Sequence, residues 1–97
     1  GHEIAARQMH GGFGGIVSVQ LAAGAEAAKR FVDHTQIFTL AESLGGVESL
    51  IEVPAAMTHA SVAGTTLQVP ANLVRISVGI ENADDLIADL KQALDRI

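Results

Sequence analysis

Apolar and polar positions alternate strictly from Ile16 to Leu21, with Val17, Val19 and Leu21 on one side and Ser18 and Gln20 on the other, which is the period of a half-buried strand. The period then lengthens. Between Gly24 and His34, Ala27, Ala28, Phe31 and Val32 share one face while Glu26, Lys29, Arg30 and Asp33 take the other, predicting an amphipathic helix. Gln36 to Ala41 and Val47 to Val53 read as two further strands, separated by the compact Glu42-Ser43-Leu44-Gly45-Gly46 turn and stopped by Pro54. Leu73 to Ile80 gives the clearest strand, with Val74, Ile76, Val78 and Ile80 opposite Arg75, Ser77 and Gly79. Asn82 can cap a closing helix whose first turn holds Asp84 and Asp85, and whose apolar stripe is Leu86, Ile87, Leu90, Leu94 and Ile97. Two segments remain. His2 to Met9 carries Ile4, Ala5 and Met9 at near-helical spacing before glycines 11, 12, 14 and 15 break it, and Pro54 to Pro70 is an aperiodic connection rich in Ala, Thr, Ser and Gly. The order helix, β, α, β, β, long loop, β, α predicts an α+β domain, its sheet antiparallel or mixed, with helices packed on one face.

Composition narrows the function classes. Ninety-seven residues, 48% hydrophobic and 18% charged, suit one folded domain with a single core. Phe13, Phe31 and Phe38 are the whole aromatic content, so that core rests on Val, Ile, Leu and Ala. The net charge is −5, and Arg7, Lys29, Arg30, Arg75, Lys91 and Arg96 are scattered, so no stripe fits a phosphate backbone and nucleic acid is not expected as a partner. Without cysteine there is neither a disulfide framework nor a thiolate zinc site, and His2, His10, His34 and His59 lack ligand spacing, so no metal is expected. No apolar run approaches the roughly 18 residues of a membrane span and no basic-then-apolar leader opens the chain; a cytoplasmic location is the expectation.

Arg75 is the first candidate for chemistry, because a guanidinium interrupts an otherwise apolar strand, the small same-face neighbours Ser77 and Gly79 leave room beside it, and its planar fork matches a carboxylate. The bland alternative is a surface arginine paired with Glu48 or Glu52. Gly45-Gly46 could let the preceding turn present N–H groups to an anion, or could simply make a turn. The glycines at 11 to 15 lack both the GxGxxG spacing and a GKS or GKT ending and are not read as a nucleotide site.

Three segments taken together are more specific: FTLAESLGGVESLIE at Phe38 to Glu52, MTHAS at Met57 to Ser61, and LVRISVGIENADDLIADLKQAL at Leu73 to Leu94. With RQM and GFGGIVS between Arg7 and Ser18, they resemble the C-terminal signature of the transsulfuration enzymes of cysteine and methionine metabolism, which depend on pyridoxal 5′-phosphate (PLP). The resemblance implies the small C-terminal, substrate-binding domain of a fold-type I PLP enzyme over residues 1–97, with the helix and glycine hinge of 1–15 leading in from a large PLP-binding domain outside the chain. It implies that Arg75 clamps the substrate α-carboxylate, that Ser43 helps bind the same group, that Thr58 supports the arginine, and that Glu42 recognises the distal part of the substrate. Glu42 with Gly45-Gly46 resembles the cystathionine γ-synthases and γ-lyases more than the methionine γ-lyases. For the whole enzyme, the resemblance implies γ-replacement of an activated homoserine ester with cysteine, or γ-cleavage of cystathionine, in a homotetramer. Neither Lys29 nor Lys91 sits in the context of the family's Schiff-base lysine, so the chain by itself is expected to be inactive. His10-Gly11-Gly12 adds a residue to the usual hinge, and Val53 replaces a common His. A stand-alone amino-acid-binding or oligomerisation module is the alternative from a different class.

Overall fold

The strand that carries Arg75 is the one around which the others assemble. The computed structural model describes residues 1–57, 64–66 and 68–97. Its elements are α1 (His2–Gln8), β1 (Ile16–Gln20), α2 (Ala25–Asp33), β2 (Thr39–Leu40), β3 (Leu50–Glu52), α3 (Pro54–Met57), β4 (Leu73–Ser77) and α4 (Ala83–Leu94). The sheet order is β1-β4-β3-β2, with β4 antiparallel to both β1 and β3 and β2 parallel to β3. Because Val19 pairs with Val74, and Val17 and Ile51 both pair with Ile76, these apolar residues share one face of the pleat. Helices α2 and α4 cover that face with Ala28, Phe31, Val32, Leu86 and Ala93, and Phe38 and Val53 close the core. The architecture is therefore α+β and mostly antiparallel, with its two main helices on one face, as the periodicities predict.

Several boundaries differ from the expectation, for identifiable reasons. The strand predicted over Gln36 to Ala41 contracts to Thr39–Leu40 because the N–H groups of Gln36, Ile37 and Phe38 all donate to the Asp89 carboxylate and are lost to any ladder. The following strand starts only at Leu50, since Ser49 is tied to Glu81 and the Val47 carbonyl accepts from Ile80 N–H. The 41–49 segment is thus a crossover between parallel strands, not a tight hairpin turn. Part of the aperiodic stretch after Glu52 forms the four-residue α3.

In α4, the Asn82 side chain accepts the Asp85 N–H at 3.1 Å, the predicted cap. Its buried line is Leu86, Asp89 and Ala93, with Leu90 half-buried, whereas Ile87, Leu94 and Ile97 are exposed. The predicted stripe is rotated, because the helix turns its carboxylate toward the backbone of residues 36–38. At the other end of the chain α1 buries no residue, and Ile4, Met9 and Phe13 are exposed.

Candidate functional site

Arg75, Ser77 and their neighbours occupy the sheet face opposite the helices. The register aligns Ser18, Arg75 and Glu52 in one row across β1, β4 and β3, and Ile16, Ser77 and Leu50 in the next. Glu52 is buried, and its Oε1 lies 2.7 Å from Arg75 Nη2, whose side chain is 16% exposed. Of the two pairings considered from sequence, Glu52 is the one formed. The cross-strand carboxylate pins the guanidinium across the sheet, and removing either partner would leave a desolvated charge. Arg75 Nη2 also reaches the Glu42 carbonyl at 3.4 Å. Both contacts run through one terminal nitrogen, whereas a guanidinium carries five N–H donors in a fixed fork. The Nε–H and Nη1 donors remain for an anion.

The 41–49 segment lies across this face, and Glu42 and Ser43 are exposed on it. Gly45, in the left-handed region at φ 79°, donates its N–H to Ser77 Oγ at 2.8 Å. Farther along, Glu81 accepts from Ser49 N–H at 2.9 Å through Oε2 and from the Ser49 hydroxyl at 2.7 Å through Oε1. Ser49 Oγ in turn accepts from Gly79 N–H at 2.8 Å. These bonds hold the Glu81 carboxyl below its ordinary pKa, the Ser49 N–H contributing most, then its hydroxyl and the Glu81 N–H, against a small opposing effect of burial. Gly79 is required by close approach: a Cβ there would collide with the Val47 carbonyl oxygen and come within 2.6 Å of Glu81 Oε1 and 2.7 Å of the Glu48 carbonyl carbon.

The structure therefore brings Arg75 together with the Glu42–Ser43 segment, and Thr58 lies outside the described residues. Glu81, Ser49 and Asp89 were not singled out from sequence. Asp89 had a readable signal, because it sits three residues after Leu86 and four before Ala93, on the buried line of its helix. Its Oδ1 takes Gln36 N–H at 2.7 Å and Gln92 Nε2 at 3.0 Å, and its Oδ2 takes Ile37 and Phe38 N–H at 2.8 and 3.1 Å. Burial pushes this carboxyl's pKa up, but the four bonds together outweigh it and the net displacement is downward. A groove of about 360 Å³ lined by Gln36, Ile37, Asp85, Ala88, Asp89 and Gln92 adjoins it, on the helix side of the sheet and away from Arg75. Among the described residues no cluster of His, Asp or Glu could hold a metal ion, and no helix is long and apolar enough to cross a membrane.

The site is thus an arginine held by a buried carboxylate in a small α+β domain, beside the irregular 41–49 segment, and comparison with known proteins gives its setting. The chain belongs to the family of PLP-dependent enzymes of Cys/Met metabolism, which matches it over residues 1–95. It is 64% identical over 95 residues to cystathionine γ-synthase of Mycobacterium leprae, covering 98% of this chain and 24% of that one. It is 55% identical over 84 residues to cystathionine γ-lyase of Saccharomyces cerevisiae, covering 84% and 21%. The crystal structure of metB from Corynebacterium glutamicum superposes with a TM-score of 0.90 at 61% identity, over 97% of this chain and 24% of that one. Cystathionine γ-lyase from Lactobacillus plantarum, complexed with L-serine, superposes with a TM-score of 0.84 at 44% identity, over 99% and 26%. The chain thus spans about a quarter of the length of these relatives.

The family's cofactor finds no seat among the described residues. PLP enzymes attach the cofactor through a lysine amine, and the chain's two lysines are exposed on α2 and α4, which pack on the sheet face away from Arg75. Lys29 is engaged with Glu26 at 3.5 Å. The described residues do not fit the cofactor.

Proposed function

We propose that this chain is the C-terminal, substrate-carboxylate-binding part of a PLP-dependent cystathionine γ-synthase, which replaces the γ-substituent of an activated homoserine ester with cysteine. The observation that carries the reading is the Arg75 fork: pinned at Nη2 by a buried carboxylate, it faces the Glu42–Ser43 segment with donors left for a planar anion. Arg75 would take the α-carboxylate, Ser43 would add a second contact to it, Glu42 would face the distal part of the substrate, and Thr58 would support the arginine. Because Glu52 holds the guanidinium before substrate arrives, little orientational freedom is lost on binding. The carboxylate then fixes how the rest of the amino acid is presented to the cofactor, which the remainder of the enzyme would hold in a cytoplasmic homotetramer.

The preference for the synthase rests on the 64% identity to the M. leprae γ-synthase, against 55% to the yeast γ-lyase. A γ-lyase is the second reading, favoured by the superposition on the L. plantarum enzyme. Assays of the whole protein with a homoserine ester plus cysteine, and separately with cystathionine alone, discriminate them. In the same assays Arg75→Ala is expected to lower kcat/KM by roughly 100- to 1,000-fold, the size of two lost charge-assisted hydrogen bonds at about 1.5–3 kcal/mol each, screened by solvent at the partly open site. PLP should stay attached. An unchanged kcat/KM would leave Arg75 as a structural partner of Glu52 and nothing more.

A further inference from the structure

We infer that Ser77 and Glu81 are positioning residues for carboxylate recognition, acting as a two-point latch that sets the distance of the Glu42–Ser43 segment from Arg75. This rests on the reading of Arg75 as the carboxylate clamp and extends it to residues that need not touch the ligand. The segment leaves the short β2 at Leu40 and has no regular structure until Leu50, so its own backbone does not fix where Ser43 lies. Its position is set by bonds to β4 and the residues just after it. Ser77 Oγ takes Gly45 N–H two residues beyond Ser43, and Ser77 is itself almost completely buried two residues from Arg75 on the same strand face. At the distal end Glu81 grips Ser49 through both carboxylate oxygens, Ser49 Oγ receives Gly79 N–H, and Ile80 N–H bonds the Val47 carbonyl. The strand that presents the guanidinium and the chain that follows it therefore also present the opposing loop.

Glu81 is suited to this because an anion can accept two bonds from one serine while that hydroxyl accepts from Gly79. A glutamine at 81 keeps one acceptor and turns an amide donor toward a hydroxyl that already receives one. Ser77→Ala removes a single oxygen and frees Gly45. Either change loosens Ser43 and the Glu42 carbonyl relative to Arg75 while leaving the Arg75–Glu52 pair intact.

The experiment compares the whole, PLP-loaded enzyme with its Ser77→Ala, Glu81→Gln and Arg75→Ala forms. Isothermal titration calorimetry with L-serine and with L-serinamide reads the preference for a carboxylate over a neutral amide of the same shape. Arg75→Ala is expected to abolish the preference, and each latch variant to reduce it about three- to tenfold by misplacing one side of the site. Faster amide exchange at Gly45 in Ser77→Ala, and at Ser49 in Glu81→Gln, should accompany the reduction. A general loss of structure would weaken both ligands equally and leave the ratio unchanged. If Arg75→Ala lowers the ratio and neither latch variant does, the latch is refuted and the clamp stands. If Arg75→Ala leaves the ratio unchanged, the clamp fails and the latch fails with it. The two substitutions touch the loop at separate points, so a folding defect in one leaves the other to decide.

Discussion

Asp89→Asn tests most directly how this small domain is held together, because one carboxylate replaces the ladder bonds that residues 36–38 would otherwise make. An asparagine keeps one oxygen and turns the other into an amide donor that faces two donors, whichever way the group is flipped. The cheaper orientation keeps the oxygen on Ile37 and Phe38, whose N–H groups are the more enclosed, and abandons Gln36 N–H and Gln92 Nε2. Gln36 is exposed, so water recovers part of that loss, whereas the charge assistance of the retained bonds disappears. At about 1–3 kcal/mol for each buried donor left without its partner, the substitution is expected to cost roughly 2–3 kcal/mol. Native-state hydrogen exchange reads this locally: the amides of residues 36–38 should exchange about 30- to 150-fold faster, since each 1.4 kcal/mol is tenfold. The pH dependence carries a second signature. The folded carboxyl lies below its ordinary value, so its stabilisation is complete above the unfolded value near ~4 and is lost as pH falls through the lower folded value. Asp89→Asn should therefore flatten the acid limb of the stability curve below about pH 4. A loss under about 0.5 kcal/mol with unchanged exchange at 36–38 would show that these bonds do not limit opening of the segment.

Gly79→Ala is expected to lower the melting temperature and to displace the 45–49 segment, because the obstructing Val47 oxygen is itself bonded to Ile80 N–H and cannot yield freely; an unshifted melt would contradict the close approach. Asn82→Ala should cost about 1 kcal/mol in urea unfolding by uncovering the Asp85 N–H, whereas Asn82→Asp, which keeps the acceptor, should cost little.

Much of the fold is legible in the sequence wherever burial follows a single period. Val74 and Ile76 against Arg75 and Ser77, and Ala27, Ala28, Phe31 and Val32 against Lys29 and Arg30, could be assigned to faces without coordinates, because each residue's side is set by its own element. The failures have a common cause. In α4 the apolar count favours Ile87, Leu94 and Ile97, but the helix is rotated so that a charged residue faces inward, and the donors that reward this lie more than fifty residues away. No helical period encodes a partner on another element. The same holds for Glu81, which reads as a polar residue before a cap until its two bonds to Ser49 are seen. Arg75 was readable as an anomaly on its strand, but its pairing with Glu52 rather than Glu48 was not, since the choice depends on register between strands separated by a long connection.

Strand β4 shows how the proposed recognition would be joined to stability in this domain. Its Val74 and Ile76 side chains enter the core while Arg75 and Ser77 leave by the opposite face, so the residues that would meet a ligand inherit the rigidity of a close-packed interior one residue away. The Asp89 network belongs to the same arrangement. By fixing residues 36–38 it sets where β2 begins, and β2 delivers the chain into the segment that bears Glu42 and Ser43. Beyond Ser43, Ser77 and Glu81 secure the segment, while before Glu42 it is secured by β2, whose ladder with β3 includes the Ala41 N–H bond to Ile51. An irregular loop anchored on both sides to the sheet that carries the guanidinium can keep a fixed gap to it without regular structure of its own. Weakening Asp89 should then disturb carboxylate preference less than weakening Glu81, because β2 remains paired with β3 after the 36–38 amides are freed, whereas without Glu81 the Ser49 side chain keeps only the Gly79 N–H.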